Sequence, residues 1–299
     1  MRDLNYELKR LGERNRDGSF ATQANRWRIL KLCADQLHEL GYHKLHAHEL
    51  KGRHVQALVR RWQQEALSVG TIKNRLAALR WWAEKVGRSA VMARSNDYYG
   101  LPERESVAQA SKAQTLDGDV LARVSCPYVR LSLELQQEFG LRREEAMKFQ
   151  PGFADRGDHI ALKDSWTKGG RPRVIPLTQA SQREVLDRAR QLAGKGSLIP
   201  PQLTYVQQLK RFERQTANAG LSKTHGLRHR YAQARYRTLV EERARERLGE
   251  PGWSAPTAGG PTSRELIPAQ KAIDREVRLL LTEELGHGRE QITTAYLGR

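Results

Sequence analysis

The sequence predicts a mainly α-helical chain with a small β-hairpin, organised as two domains. Three observations point there. Apolar residues recur at helical spacing in four stretches before about residue 90, so each can pack one face on the others. A polar stretch carrying Gly100 and Pro102 then interrupts the pattern. Beyond it, helical stretches resume around two short runs of strand character, separated by Gly169-Gly170, the strongest turn signal in the chain. A length of 299 residues accommodates two domains of ordinary size.

Taken in order, the first stripe is Leu4, Leu8 and Leu11. Leu30, Cys33, Leu37 and Leu40 form the second, with Gly41 as its stop. Val55, Leu58, Val59, Trp62 and Ala66 form the third. Ile72, Leu76, Leu79, Ala83 and Val86 form the fourth, ended by Gly87. Four such helices close a small bundle, assigned to residues 1–93. Residues 94–115 read as a linker. The second domain, 116–299, opens with a helix over 128–139, where Leu131, Leu133 and Leu135 crowd closely enough to call for deep burial. Gly140 stops it. Strands are predicted at His159–Leu162 and 171–176 around the basic turn TKGGR. Helices follow at about 179–193, 203–218 and 225–241. A loop rich in proline and glycine spans 250–263, and helices resume at about 268–285 and 290–297. No internal repeat is visible.

Charge narrows the partner. Lys and Arg total 52 against 34 acidic residues, a formal net charge of +18. That excess suits a polyanion. No run of about 18 apolar residues exists to cross a bilayer, and the N-terminus lacks the apolar segment of a signal peptide. The partner expected from charge is a nucleic acid or an anionic membrane surface, and membrane attachment lacks support. Within residues 51–94 ten basic residues face only Glu65 and Glu84. Arg53, Arg60, Lys73, Arg75 and Arg80 are the candidates for DNA-backbone contacts there. Trp62, Trp81 and Trp82 read as core or groove-wall residues. Cys33 and Cys126 fit no metal or redox spacing. The stretch AGKGS at 193–197 is not a phosphate loop. Ala189 stands where the first glycine is needed, and Gly196 follows Lys195 in place of Ser or Thr. Neither cofactor nor metal is implied.

The stretch HGLRHRYA, residues 225–232, sets His225 and Arg228 three apart and so on one helical face. Leu227, Tyr231 and Ala234 give that helix a second, packing face. Arginine offers a planar fork of donors to a phosphate, and histidine moves protons near neutral pH. Four further stretches complete an ordered set: Arg142 in GLRREE, Lys168 in TKGGRPRVIPL, His287 in LGHG and Tyr296 in ITTAYLG.

This set resembles the tyrosine recombinase (phage integrase) family, from about residue 116 to the C-terminus. GLRxxE and a basic hairpin are each unspecific. HxLRH together with LGH and a tyrosine nine residues later is specific. The first half matches that family's core-binding domain only in general pattern.

The resemblance implies a catalytic set of Arg142, Lys168, His225, Arg228, His287 and Tyr296, with Glu145 in support. A tyrosine hydroxyl can store a phosphodiester bond as a covalent phosphotyrosine. Its free pKa of about 10 calls for a base or a positive field. Arg142 and Arg228 would clamp the nonbridging oxygens, where charge builds. Lys168 would protonate the leaving 5′ oxygen, His225 would assist Tyr296 as base, and His287 would hydrogen-bond the phosphate. Alternatives stay open at several positions: Arg143 for Arg142, Lys163 for Lys168, a helix cap for His287 and a core aromatic for Tyr296. His229 reads as packing or support.

The family reading implies a site-specific recombinase that integrates or excises a bacterial mobile element. It would act in the cytoplasm, associated with the nucleoid and away from any membrane, as a homo-tetramer on double-stranded DNA, with an accessory bending or directionality factor as a further partner. A chromosome-dimer or plasmid resolvase shares the chemistry, and a non-catalytic DNA-binding regulator shares the scaffold. Two departures stand out. The step of 59 positions from Arg228 to His287 suggests an insertion at about 242–263, and only three residues follow Tyr296. Coupling to a neighbouring protomer would then run through the helix carrying Tyr296 or through 242–263, whose Trp253, glycines and prolines suit an exposed docking loop or a merely tolerated disordered one.

Overall fold

The computed structural model describes residues 3–103, 107–167 and 169–299. The chain divides into two compact units, Met1–Glu105 and Ser106–Arg299, each with its own core.

In the first unit the four stripes become α1 (Asp3–Arg14), α2 (Phe20–Glu39), α3 (Gly52–Gln64) and α4 (Val69–Lys85). Ser19 and Ser68 cap α2 and α4 by accepting from backbone N–H groups of the first turn. Leu8, Leu30, Leu37, Leu58, Trp62, Leu76, Leu79 and Trp82 pack together at the centre. Both buried indoles find acceptors: Trp62 Nε1 donates to Gln36 Oε1 at 2.8 Å and Trp82 Nε1 to the Ala47 carbonyl at 2.8 Å. Two stripe residues fall outside the core. Leu40 caps α2 and is 41% exposed, because the chain turns away at Gly41. Ala66 lies past the end of α3 in a left-handed turn (φ 51°).

The second unit runs α5 (Gly118–Ala122), α6 (Pro127–Phe139), α7 (Arg143–Lys148), α8 (Pro151–Ala154), β1 (His159–Leu162), β2 (Arg173–Pro176), α9 (Ala180–Ala193), α10 (Tyr205–Asn218), α11 (His225–Leu248), α12 (Pro268–Glu284) and α13 (Thr294–Leu297). The strands pair antiparallel, from His159 opposite Pro176 to Leu162 opposite Arg173. Ile160, Leu162 and Ile175 turn into a core shared with α6, α9, α11 and α12. Gly169 and Gly170 occupy the left-handed region (φ 82° and 65°) in the connection between the strands, as glycine permits.

Three expectations need correction. On α11 the buried face runs through Leu227, Tyr231, Ala232, Tyr236, Leu239 and Val240, while Ala234 is exposed. The same helix continues past residue 241 to Leu248, although EERARER carries no apolar stripe. Buried Ala244 and the pairing of Arg243 and Arg247 with Glu276 of α12 hold those last turns. Residues 242–248 thus extend α11, and Gly249 (φ 67°) ends it. Finally, the loop 250–263 is only partly exposed. Trp253 packs against the core and donates Nε1 to Tyr236 Oη at 3.1 Å, and Ala255 is buried.

Candidate active site

The site is assembled from four turns. Gly140 ends α6 with φ 60°, and a Cβ there would lie 2.5 Å from Tyr231 Cδ1, so the approach of α6 to α11 requires glycine. That turn places Arg142 at the N-cap of α7. Glu145, three residues on, accepts the Arg142 backbone N–H at 2.7 Å through Oε2 and its guanidinium NH1 at 2.7 Å through Oε1. Arg173, projecting inward from β2, donates NH1 to Oε1 at 2.8 Å and NH2 to Oε2 at 2.6 Å. Burial by itself pushes the Glu145 carboxyl up. The hydrogen bonds and charge of Arg173, with the charges of Arg142 and Arg228, outweigh it and hold the group at about 2. Glu145 is the anionic anchor from which the arginines are oriented.

Arg228, in the first turn of α11, is fully buried. It donates NH1 to the Gly140 carbonyl, NH2 to the Leu285 carbonyl, and Nε to Tyr296 Oη at 3.1 Å. Its NH2 also lies 3.3 Å from His287 Nε2. Arginine has no acceptor, so that contact makes His287 Nε2 the acceptor and puts the ring proton on Nδ1. Burial lowers the Arg228 pKa to about 10, which leaves it cationic at neutral pH. Arg142 NH2 reaches the same Leu285 carbonyl at 3.3 Å, and its side chain is 19% exposed, so it is the more accessible of the two cations.

Tyr296 Oη stands 3.2 Å from His287 Nε2 and 3.4 Å from His225 Nε2. Burial, and then the charges of Arg228 and Arg142, lower both imidazoles, His287 to about 3. His229, its ring 4.7 Å from that of Tyr296, is lowered to about 4 by burial and by His225. The phenol thus has an arginine donating to its oxygen and two imidazole nitrogens within reach of its hydroxyl. The arginines at the same point hold fixed positive charge for an incoming anion.

One chain thus brings together Arg142, Glu145, His225, Arg228, His287 and Tyr296. Lys168 lies outside the described residues. Lys163 is engaged elsewhere, donating to Gln150 Oε1 at 3.0 Å with its ammonium 4.2 Å from the centre of the Phe153 ring. Arg143 turns to Glu213 on the surface at 3.0 Å.

The five basic candidates of the first unit differ among themselves. Arg53 and Arg60 are exposed. Lys73 donates to the Pro102 carbonyl at 2.7 Å, Arg75 lies over the Trp62 ring at 5.2 Å, and Arg80 donates to Asn96 Oδ1 at 2.8 Å, so those three also carry structural contacts. Arg61 and Lys85 are offset by acids from other parts of the unit, Glu39 and Asp17.

Sequence reasoning passed over Arg173. Its signal was available, because alternate residues of a strand share a face and Ile175 is an obvious inward residue. The carbonyls of Gly140 and Leu285 left no such signal. Among the described residues, no group of three or more His, Cys, Asp or Glu is placed to hold a metal ion. Both cysteines are free; Cys33 is buried, which pushes its thiol up to about 12.

Two family models match the chain: "Phage integrase, N-terminal" over residues 1–92 and "Integrase" over residues 103–234. The second span ends before His287 and Tyr296, whose placement rests on the geometry above. No curated protein matches. Among solved structures, a lambda integrase (75-356) dimer bound to a COC' core site superposes with a TM-score of 0.60 at 15% identity, covering 98% of this chain and 94% of that one. The XerH site-specific recombinase on palindromic difH substrate gives 0.57 at 16% identity, covering 99% and 81%. The Tn1549 transposon integrase (aa 82-397) with circular intermediate DNA gives 0.55 at 13% identity, covering 100% and 96%. These likenesses establish the fold.

Proposed function

We propose that this chain, which belongs to the phage integrase family of tyrosine recombinases, cuts and rejoins DNA at specific sites through a 3′-phosphotyrosine. The observation that carries this reading is the hydrogen bond from buried Arg228 Nε to Tyr296 Oη, with His225 and His287 beside the same oxygen.

In the reaction, Tyr296 Oη attacks the scissile phosphorus and its proton passes to a neighbouring imidazole, with His225 as the base. Arg142 and Arg228 take up the charge that builds on the nonbridging oxygens. The bond to the 5′ oxygen breaks, and Lys168 supplies the proton that this oxygen needs. A 5′-hydroxyl from the second duplex then attacks the phosphotyrosine and releases Tyr296. Bond energy is conserved, so no nucleotide is consumed. The charge stabilisation comes from side chains, so cleavage is expected to proceed in EDTA.

The substrate is duplex DNA bearing two half-sites, and four protomers act on a pair of duplexes. The role proposed is integration or excision of a bacterial mobile element, by likeness to the lambda integrase and the Tn1549 transposon integrase. A DNA-binding regulator has no use for a tyrosine held against a buried arginine. No helix among the described residues is long and apolar enough to cross a membrane.

The test is incubation with nicked attachment-site DNA followed by a denaturing gel. The expected result is a covalent protein–DNA band with the parent chain and none with Tyr296→Phe, at equal DNA binding. An adduct that persists in Tyr296→Phe assigns the nucleophile elsewhere and overturns this reading.

A further inference from the structure

The helix that carries Tyr296 is only four residues long, Thr294–Leu297. So short a helix does not hold itself together, and the carbonyls of its last turn have no partners within it. They find partners outside. The Tyr296 carbonyl accepts from Thr257 Oγ1 at 3.0 Å and from Gln233 Nε2 at 3.1 Å, and Gln233 Nε2 also reaches Thr257 Oγ1 at 3.2 Å. The Gly298 carbonyl accepts from Arg278 NH1 at 3.0 Å. Arg278 is in turn fixed by Asp274, which accepts from Tyr236 Oη at 2.6 Å, and Tyr236 Oη accepts from Trp253 Nε1. The stretch from Trp253 to Thr257 therefore reaches the Tyr296 helix along two chains of hydrogen bonds.

The geometry of that stretch is specific. A Cβ on Gly252 would lie 2.5 Å from the Glu241 Cα, and one on Gly260 would lie 1.7 Å from the Ser254 carbonyl oxygen. Only glycine allows either approach. Between them, Gly259 (φ 84°) and the bond from Gly260 N to the Ala255 carbonyl at 3.0 Å close a tight turn that presents Thr257.

We propose that residues 253–260 form a latch within the protomer, and that Thr257 and Gln233 are positioning residues for the Tyr296 nucleophile. Neither touches the reacting oxygen. They grip the peptide carbonyl of the same residue, which sets where the phenol points relative to Arg228 and His287. The catalytic part rests on the function proposed above.

The test uses the full chain with Thr257→Val, which keeps the shape and removes the hydroxyl, Thr257→Ser, which restores it, and Gln233→Leu. Hydrogen exchange is first followed on the DNA-free protein. In Thr257→Val the amides of 294–298 are expected to exchange about tenfold faster, as loss of one such hydrogen bond implies, with the remainder of the unit unchanged and Thr257→Ser close to the parent. Adduct formation on saturating nicked DNA is expected to slow about tenfold in Thr257→Val and in Gln233→Leu at unchanged DNA affinity, and to recover in Thr257→Ser. Unchanged exchange in Thr257→Val overturns the latch. Unchanged adduct rates, or a slow Thr257→Ser, overturn the positioning role. If the parent chain forms no adduct at all, the proposed function fails, and the exchange experiment still decides the latch.

Discussion

Arginine does two different jobs in the two units of this protein. In the second unit Arg228 is fully buried and spends its donors on two backbone carbonyls, a phenol and an imidazole. In the first unit Arg53 and Arg60 stand exposed on α3. A buried, oriented cation cannot relax away from a developing charge and acts strongly at one point. Exposed cations act at long range, are screened by salt and substitute for one another. The formal charge of +18 says nothing about which arginines are of which kind; burial and partners do.

The sharpest way to break this contrast is at Arg228. Arg228→Ala is expected to retain DNA binding while the rate of adduct formation falls by about 10²–10³, measured in single turnover at saturating DNA. Arg228→Lys should recover little, because a point charge does not replace a planar fork. A loss confined to affinity would place Arg228 with the surface cations.

Glu145→Gln should show how the buried arginines are held. It removes the carboxylate that Arg142 and Arg173 share and leaves Arg173 buried without a counter-charge. Breaking such a pair destabilises by about 3–5 kcal/mol, which denaturant unfolding of the second unit would read. An effect below about 1 kcal/mol would mean that the carboxylate is not the anchor.

Acid probes the imidazoles. The folded pKa values of His287 (about 3) and His229 (about 4) lie below the ordinary histidine value of 6.5, so the unfolded chain binds more protons between those limits. Stability contributed by the neutral rings is present above about pH 6.5 and is lost as pH falls towards 3–4. The Tm of Asn variants at these two positions should depend less steeply on pH over that window. An identical slope would remove them as the cause.

The smallest effect is expected in the first unit. Arg53→Ala with Arg60→Ala should weaken DNA binding and lower the salt slope by about two, at about one unit per lost phosphate contact, with the adduct rate at saturation unchanged. A changed rate at saturation would give these residues more than backbone contact.

The helical bundle was legible because its stripes carry their own period, and Leu8, Leu37, Leu58 and Leu79 are buried as that period demands. The grouping of Arg142, His225, Arg228, His287 and Tyr296 was legible only as an ordered set of motifs, since periodicity does not say which distant turns meet. What escaped was held by contacts that composition does not encode. The last turns of α11 carry no apolar stripe, yet Glu, Arg and Ala favour helix, and buried Ala244 and the pairs to Glu276 add to it. Residues 250–263 look like a loop open to solvent, yet Gly252 and Gly260 are there to let backbone meet backbone. Gly252 and Gly260, read as marks of an exposed loop, mark close packing.

The most direct measurement is proteolysis of the trapped protein–DNA adduct followed by mass spectrometry of the nucleotide-bearing peptide. The expected result is a deoxynucleotide 3′-phosphate on Tyr296. A nucleotide on any other residue, or DNA cut with no covalent peptide, would contradict the assignment of Arg228, His287 and Tyr296 to one active site.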